Sequence, residues 1–290
     1  MLGSWAGAMG HMQFIPTSYN AYAVDFTGDG RRDFWSDDPS DALASGANYL
    51  ARHGWRTGQP AFLPVRVPAG SDYYQYRGKN KQPAQTWNAM GVTLMNGGPV
   101  PDFGPAAIIL PAGANGPAFM VFHNFGVIKK YNNADSYALG VAHLGQRIAG
   151  AGAMNLTWPV NDLPLGRSKK KELQTNLTRL GFDTNGVDGK FGPDSRAALR
   201  GFQRSRGIPA DGYASKTMLD RVNAAAQGRE SLGRDQVRAI QQRLNQRGYN
   251  AGVPDGVSGP QTRAAIAAFQ RASGVTADGR VSLALLQALQ

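Results

Sequence analysis

The stretch "VDGKFGPDSRAALRGFQR" at residues 187–204 decides the fold of the C-terminal half, because it recurs 67 positions later as "PDGVSGPQTRAAIAAFQR" at residues 254–271. Aligned without a gap, residues 173–212 and 240–279 are identical at 17 of 40 positions. Unrelated segments of this length would share only about two or three, so the chain contains a duplicated module. Each copy is therefore expected to fold around a small core of its own.

Each copy predicts three helices. In the first copy, Leu173 and Leu177 share one helix face, Gly181 ends that helix, Pro193 suits the first turn of the second, and Ser215 caps the third. The equivalent residues of the second copy are Ile240, Leu244, Gly248, Pro260 and Ser282. The remaining predicted core residues are Leu180, Ala198, Leu199, Phe202, Met218, Leu219, Val222, Ile266, Phe269, Leu286 and Leu289. Both copies are thus predicted as three-helix bundles of about 60 residues, near the lower size limit for independent folding.

The N-terminal half is less regular. One helix is predicted from Asp41 as N-cap through Leu43, Ala47 and Leu50 to Gly54. A second is predicted over residues 135–148, with Leu139, Ala142 and Leu144 facing inward. Between about residues 56 and 125, Pro and Gly interrupt the pattern, which predicts few long elements there.

Composition and charge exclude several classes of protein. The chain has 290 residues and no cysteine, which excludes disulfides, thiolate nucleophiles and cysteine-based zinc sites. No apolar run reaches about 18 residues, so no membrane span is expected. The net charge is +11, of which residues 161–290 carry +9. The C-terminal half should therefore favour an anionic partner.

A candidate metal loop spans residues 25–36, "DFTGDGRRDFWS". Its oxygen-bearing positions follow the EF-hand pattern, with a glycine at the sixth position for the sharp turn. The twelfth position is Ser36, which cannot supply a bidentate carboxylate, so closure would come from Asp37, Asp38 or Asp41. The predicted structural Ca²⁺ ligands are Asp25, Thr27, Asp29, the carbonyl of Arg31, and Asp41. An Asp/Gly-rich turn with a hydrated acidic face is the alternative, and no organic cofactor is expected.

Several separate blocks along the N-terminal half carry a family resemblance. They are "GSWAGAMG", "QFIPTSY", "AVDFTGDG", "ANYLARHGW", "YNNADSYALGV" and "WP", in this order from residue 3 to about 158. Together they resemble the membrane-bound lytic murein transglycosylase B family. The duplicated module resembles the peptidoglycan-binding module found on cell-wall hydrolases. Two independent sets of motifs therefore point to the same polymer.

The resemblance implies a mainly α fold. It consists of a lysozyme-like transglycosylase domain, N-terminally truncated, over residues 1–158, and two three-helix peptidoglycan-binding repeats at 172–226 and 235–290, with a linker at 159–171. It further implies cleavage of the bond between N-acetylmuramic acid and N-acetylglucosamine, leaving a 1,6-anhydro sugar. The partner would be the glycan strands of peptidoglycan, in the periplasm or cell envelope of a bacterium, and we expect the protein to act as a monomer.

The resemblance also implies a substrate-binding site. Its residues would be Ser4, Gln13, Phe14, Tyr49, Tyr131, Asn132 and Tyr137. Ser4 and Gln13 would hydrogen-bond the acid or the sugar, Phe14 would form part of a sugar platform, and the others would line sugar subsites. From the residues alone, Tyr49 and Tyr137 could equally belong to a helix core, and Gln13 could simply satisfy a buried backbone group.

The catalytic acid of this family is a glutamate, which would protonate the leaving oxygen and then accept a proton from the 6-hydroxyl of the sugar. The two glutamates of the chain, Glu172 and Glu230, both lie in the repeat half. Hence no catalytic residue is assigned within the chain, and the glutamate is expected upstream of Met1. The aspartates of the metal loop would be held ionised, and Asp72, Asp102 and Asp135 sit beside Gly, Pro or Asn in apparent loops, so none is a good replacement.

Two other functions remain for comparison. One is a non-catalytic peptidoglycan-binding protein that keeps the cleft as a lectin-like site. The other is a nucleic-acid binder, since Arg-rich three-helix units can resemble helix-turn-helix domains. We do not expect nucleic acid as a partner, because the basic residues are spread over every helix and no recognition helix stands out.

Overall fold

The structure is a computed structural model that describes residues 3–227, 232, 234–275 and 277–289. Of the residues named above, Met1, Glu230 and residue 290 lie outside this description. The chain divides into two compact units, one of residues 1–111 with 115–158, and one of 112–114 with 159–290. No helix among the described residues has the length and apolarity that crossing a bilayer requires.

The first unit combines short helices with a small sheet. Its elements are α1 (Pro16–Tyr22), α2 (Ser40–Arg52), β1 (Phe62–Arg66), α3 (Ala84–Ala89), β2 (Thr93–Leu94), β3 (Ala107–Ile109), β4 (Ala118–Val121), α4 (His123–Tyr131) and α5 (Asp135–Ile148). The four strands form one antiparallel sheet in the order β2-β1-β4-β3. As predicted, residues 56–125 contain no long element, and the longest strand there has five residues.

The sheet separates two apolar clusters, because successive strand residues point to opposite faces. In β3, Ile108 packs into a cluster with Trp87 and Met120, whereas Ala107 and Ile109 pack with the aromatic residues on the other face. The sequence did not predict this sheet. Strands of two to five residues are too short for a clear alternation of apolar and polar positions.

The two helices predicted in this unit are present, with differences in detail. The N-cap of α2 is Pro39 rather than Asp41, which lies in the first turn and is 3% exposed. The bounds of α5 agree with the prediction and Leu139 is buried, but Leu144 is 60% exposed. Five helical residues correspond to a rotation of about 140°, so Leu144 cannot share the buried face with Leu139.

The second unit contains the two predicted three-helix bundles. The first has α6 (Arg167–Arg179), α7 (Pro193–Ser205) and α8 (Lys216–Ala226), and the second has α9 (Arg234–Gln246), α10 (Pro260–Ala272) and α11 (Leu283–Ala288). We call them repeat 1 and repeat 2. As predicted, the hydroxyl of Ser215 accepts a hydrogen bond from Met218 N, and that of Ser282 accepts one from Leu285 N. Gly181 has a φ of 87° just after α6.

The predicted core residues of the repeats are largely buried. Leu180, Met218 and Leu286 are exceptions, since each is only partly buried against its cluster. The predicted linker at 159–171 overlaps ordered structure, because α6 begins at Arg167 and Leu165 is 8% exposed in the core of repeat 1. An apolar residue within a short polar connection is enough to bind that connection to the bundle.

Candidate functional site

The opening segment of the first unit folds back on itself. Met9 pairs with both Gly3 and Phe14 in isolated antiparallel bridges, and Met9 N donates to Phe14 O at 3.0 Å. The hydroxyl of Ser4 accepts a hydrogen bond from Ala8 N at 3.0 Å. Ser4 and Gln13 are both exposed, on a segment whose backbone is fixed by these hydrogen bonds.

Gln13 adopts a backbone conformation that few residues other than glycine tolerate. Its φ is 50°, and both its backbone N–H and its side-chain Nε2 donate to the carbonyl oxygen of Gly10. Non-glycine residues in the left-handed region often occur where the surrounding structure uses them for function. Of the predicted site residues, Gln13 is thus the one whose backbone carries strain.

An aromatic cluster lies behind this segment. The ring of Phe14 is 5.4 Å from that of Phe34, 5.7 Å from Tyr49 and 5.9 Å from Tyr131, measured between centroids. The rings of Tyr131 and Tyr137 are parallel, with centroids 6.1 Å apart. The structure therefore brings four of the predicted aromatic site residues together.

Hydrogen bonds fix the tyrosines of this cluster to two distant segments. The hydroxyl of Tyr49 donates to the carbonyl oxygen of Lys130 at 3.0 Å, and that of Tyr131 donates to the carbonyl oxygen of Met12. Burial, with smaller effects of the neighbouring Tyr137 and Tyr49, raises the pKa of Tyr131 to about 12. Burial also raises the pKa of Tyr49 and of Tyr137. All three are neutral hydrogen-bonding groups at physiological pH.

Exposure separates the predicted site residues into two groups. Phe14 is 2% exposed and Tyr49 is 8% exposed, so both belong to the packed interior of the aromatic cluster. Ser4, Gln13 and Asn132 are exposed, while Tyr131 and Tyr137 are half-buried. The prediction of Phe14 as a sugar platform therefore disagrees with this structure, because a ring surrounded by three other aromatic rings has no free face to offer.

The cluster contains residues that the sequence did not single out. The ring of His53 stacks on Tyr49 at 4.1 Å, and Tyr22 meets Tyr49 edge-to-face at 4.8 Å. The spacing of Tyr49 and His53, four residues apart on a predicted helix, could have indicated the first contact. Phe34 and Tyr22 come from separate segments, and no local pattern relates them to Phe14 or Tyr49.

The predicted metal loop closes on α2 through one carboxylate. Oδ1 of Asp41 accepts hydrogen bonds from Phe26 N and Thr27 N, and its Oδ2 accepts one from Asp33 N. The backbone hydrogen bonds from Asp33 and Thr27 hold the pKa of Asp41 below its ordinary value. Asp25 accepts from Gly28 N and Gly30 N.

Three oxygens of this loop lie close enough to share one cation. One carboxylate oxygen from each of Asp25, Asp29 and Asp41 lies within 4.8 Å of the other two. Carboxylate and hydroxyl oxygens are the donors that Ca²⁺ prefers, and Thr27 Oγ1 stands 3.5 Å from Asp25 Oδ1. The donor set therefore fits a hard divalent cation.

The other aspartates of the first unit outside the loop have local partners. Asp135 forms a salt bridge with Lys129 at 2.6 Å, Oδ1 of Asp102 accepts from Gly104 N, and Asp72 accepts from Tyr74 N. Each of these carboxylates is thus engaged within its own segment.

In the second unit, a buried glutamine holds the Asp-Gly turn of each repeat. Gln174 Nε2 donates to Asp188 Oδ1, Lys190 O and Ser195 Oγ, while its Oε1 accepts from Gly189 N. In repeat 2 the equivalent hydrogen bonds join Gln241 to Asp255, Val257, Thr262 and Gly256. The duplicated sequence thus produces a duplicated hydrogen-bond network.

A transglycosylase SLT domain family model matches residues 1–146, half of the chain. The chain belongs to this family. A peptidoglycan binding domain model matches residues 167–222 and 233–289, which are the two bundles. The recognition of a lytic transglycosylase domain followed by two peptidoglycan-binding repeats is thereby confirmed, as is the mainly helical fold class.

Two solved structures and one curated protein illustrate the similarity. SltB3 from Pseudomonas aeruginosa, solved with NAG-anhNAM-pentapeptide and with NAG-NAM-pentapeptide, is 50% identical, with a TM-score of 0.71 over 77% of this chain and 60% of that chain. Membrane-bound lytic murein transglycosylase B of Escherichia coli (strain K12) is 37% identical over 148 residues. That match covers 51% of this chain and 39% of the curated relative. The chain thus spans less than two thirds of the length of each.

Proposed function

We propose that this transglycosylase family member acts on peptidoglycan glycan strands, which it holds with its N-terminal cleft and its two C-terminal repeats. The observation that carries the proposal is the presence, in one chain, of a transglycosylase domain at residues 1–146 and peptidoglycan-binding domains at 167–222 and 233–289. The complexes of SltB3 with NAG-NAM-pentapeptide and NAG-anhNAM-pentapeptide support the same substrate class.

The exposed polar groups of the cleft wall are the proposed sugar contacts. Ser4, Gln13 and Asn132 offer hydroxyl and amide groups to N-acetyl and hydroxyl groups, and the half-buried rings of Tyr131 and Tyr137 offer apolar edges to C–H groups. Phe14 and Tyr49 contribute by fixing the wall behind them. In this proposal the affinity of the site depends on groups that the fold has already oriented.

The proposed reaction cleaves the bond between N-acetylmuramic acid and N-acetylglucosamine to give a 1,6-anhydro product. One carboxylic acid protonates the leaving oxygen and, as a carboxylate, then accepts the proton of the 6-hydroxyl of the sugar. Residues 1–171 contain no glutamate, and Asp72, Asp102 and Asp135 are engaged by local donors. We therefore infer that the chain of 290 residues binds the glycan but does not cleave it by itself.

Two measurements test this proposal. The chain should sediment with purified sacculi, and mass spectrometry of the supernatant should detect no anhydro-muropeptides. Failure to sediment would overturn the substrate class. Release of anhydro-muropeptides would overturn the inferred inactivity and would assign the acid role to an aspartate of the first unit.

The cleft is tested separately with a soluble glycan, because the repeats alone can retain the chain on sacculi. A tetrasaccharide of alternating N-acetylglucosamine and N-acetylmuramic acid should bind the chain. Gln13→Gly should lower the affinity for this tetrasaccharide by about tenfold, since one preorganised amide is lost. Glycine is chosen because it tolerates the φ of 50°. The control, Thr57→Ala at an exposed position of the same unit, should change nothing. Equal affinities for all three proteins would contradict the assignment of Gln13.

We further propose that the loop at residues 25–41 holds a structural Ca²⁺. Asp25, Thr27, Asp29, the carbonyl of Arg31, and Asp41 would be its ligands, and the approach of three carboxylates within 4.8 Å supports this. The ion would neutralise their mutual repulsion and fix the loop against α2. Calorimetric titration should give heat with the wild type and with Asp102→Ala, but not with Asp29→Ala. Equal heats for all three would reduce the loop to a hydrated acidic turn.

The second candidate function is a glycan-binding protein without catalysis, which the lack of glutamate in residues 1–171 favours. Release of anhydro-muropeptides from sacculi would exclude this second candidate, because only an enzyme cleaves the strands. For either function we propose a monomer in the periplasm or cell envelope, where the substrate lies.

A further inference from the structure

Repeat 1 contains a pocket of about 330 Å³ between the segment that precedes α6 and the helices α6 and α8. Hydrogen bonds fix this segment: Lys216 N donates to Leu163 O at 3.0 Å, Leu165 N donates to Ala214 O at 3.2 Å, and Thr217 N donates to Asp162 Oδ1 at 2.8 Å. A volume of this order is at the lower end of those that hold small organic ligands.

The pocket has an apolar floor and a rim of alternating charge. Leu163, Pro164, Leu165 and Leu219 supply its apolar lining; Leu165 and Leu219 are buried and form the floor, whereas Leu163 is 63% exposed. Lys169, Lys216 and Asp220 line the pocket, and Glu172 lies beside it, where it accepts a hydrogen bond from the lining residue Asn223 at 2.7 Å. These four charged side chains form the rim, in which Lys169 pairs with Glu172 and Lys216 pairs with Asp220, each at 2.7 Å.

The four rim side chains remain accessible, with exposed fractions between 37% and 68%. The hydrogen bond from Lys169, followed by that from Asn223, lowers the pKa of Glu172. The hydrogen bond to Asp220 raises the pKa of Lys216. Glu172 and Lys216 are therefore both ionised at neutral pH.

Repeat 2 supplies an internal comparison. At the 67-residue offset, Gln236 replaces Lys169, Ala239 replaces Glu172, Leu283 replaces Lys216, and Gln287 replaces Asp220. All four rim charges are lost, although the core positions and the buried glutamines are retained. The fold of the bundle therefore does not require these charges, and exposed ion pairs contribute only about 0 to 1 kcal/mol.

We propose that this charged pocket of repeat 1 binds the free end of a diamino-dicarboxylic residue in a peptide, with the ammonium facing Glu172 and Asp220 and the carboxylate facing Lys169 and Lys216. The aliphatic stem of the residue lies on the leucine floor. A rim with two charges of each sign matches a zwitterion better than it matches a simple anion. The inference rests on the proposed function, because a peptidoglycan stem peptide is the natural source of such a residue.

The test uses two synthetic tripeptides and the full chain. One is L-alanyl-γ-D-glutamyl-meso-diaminopimelate, and the other has L-lysine at the third position and so lacks the side-chain carboxylate. We expect the first to bind about tenfold more tightly than the second, because one set of charge contacts is removed. Equal affinities, or binding of neither, would overturn the inference.

A variant with repeat 2 residues on the rim provides the second arm. Lys169→Gln, Glu172→Ala, Lys216→Leu and Asp220→Gln together should abolish the preference between the tripeptides. The control neutralises an exposed ion pair of repeat 2 by Asp235→Gln and Arg238→Gln. This control should keep the preference between the tripeptides. If circular dichroism shows that the fourfold variant is unfolded, the single variant Lys216→Leu replaces it, and the ratio of its affinities for the two tripeptides is measured instead. A preserved preference in the folded variant would overturn the inference.

Sedimentation with sacculi separates this inference from the proposed function. A chain that sediments but does not distinguish the tripeptides disproves only the charged pocket. A chain that does not sediment disproves the proposed function as well.

Discussion

Gly10 lies directly against Phe34, so that a Cβ atom at Gly10 would stand 2.5 Å from the Cβ of Phe34. His11 N donates to Phe34 O at 2.8 Å, which fixes the two segments at this distance. Phe34 in turn packs on Phe14, whose backbone follows Gln13. The close approach of Gly10 therefore determines where the exposed residues of the opening segment stand.

Gly10→Ala should lower the free energy of unfolding of the first unit by about 3 kcal/mol, because it combines a strained φ of 62° with a clash against Phe34. Gly58→Ala is the matched control, with a φ of 79° and open space around its Cβ, and should cost about 1 kcal/mol. Denaturant unfolding measures both. Equal losses would mean that Phe34 moves aside freely.

Gln241→Ala should lower the free energy of unfolding of repeat 2 by about 2 to 3 kcal/mol, because several buried polar groups lose their partner together. Its neighbour Gln242 is exposed on the same helix, and Gln242→Ala should stay within about 0.5 kcal/mol of the wild type. Thermal and urea unfolding followed by circular dichroism would compare them. Similar values for both would show that water replaces the glutamine.

Tyr131 should make the first unit sensitive to alkaline pH. Because its pKa is raised from 10.0 to about 12, the stability it contributes is present below pH 10 and is lost as the pH rises towards 12. In Tyr131→Phe the free energy of unfolding should therefore fall less steeply over this range. Thr57→Ala, at an exposed position that carries no ionisable group, provides the control and should keep the slope of the wild type. A slope unchanged in Tyr131→Phe would contradict the expected effect of burial.

Binding to sacculi should weaken as salt rises, because residues 161–290 carry a net charge of +9 and stem peptides carry carboxylates. Between about 50 and 500 mM NaCl the fraction that sediments should fall several-fold, since the Debye length shortens from roughly 14 to 4 Å. Addition of sucrose at matched osmolarity is the control. Binding that does not respond to salt would assign recognition to the glycan rather than to the charged stems.

The helices of the repeats could be predicted from sequence because their signals are local. Ser215 and Ser282 cap helices, Pro193 and Pro260 lie in first turns, and each of these depends on neighbours within four residues. By contrast, Asp41 has the sequence signature of an N-cap and yet accepts hydrogen bonds from residues 8 to 15 positions away. A short-range signal cannot reveal that such a distant partner competes for the same carboxylate.

The sequence by itself determined the duplicated modules, the acidic loop and the family, because identities at fixed offsets and ordered motifs do not depend on how segments meet in space. Only the tertiary structure decided which of the predicted site residues face solvent. Gln13 and Phe14 are neighbours in "HMQFIP", yet a positive φ directs one outward and three aromatic rings enclose the other. The opening stretch thus specifies its own turns, whereas the surface it presents depends on Phe34, Tyr49 and Tyr131, which distant parts of the chain contribute.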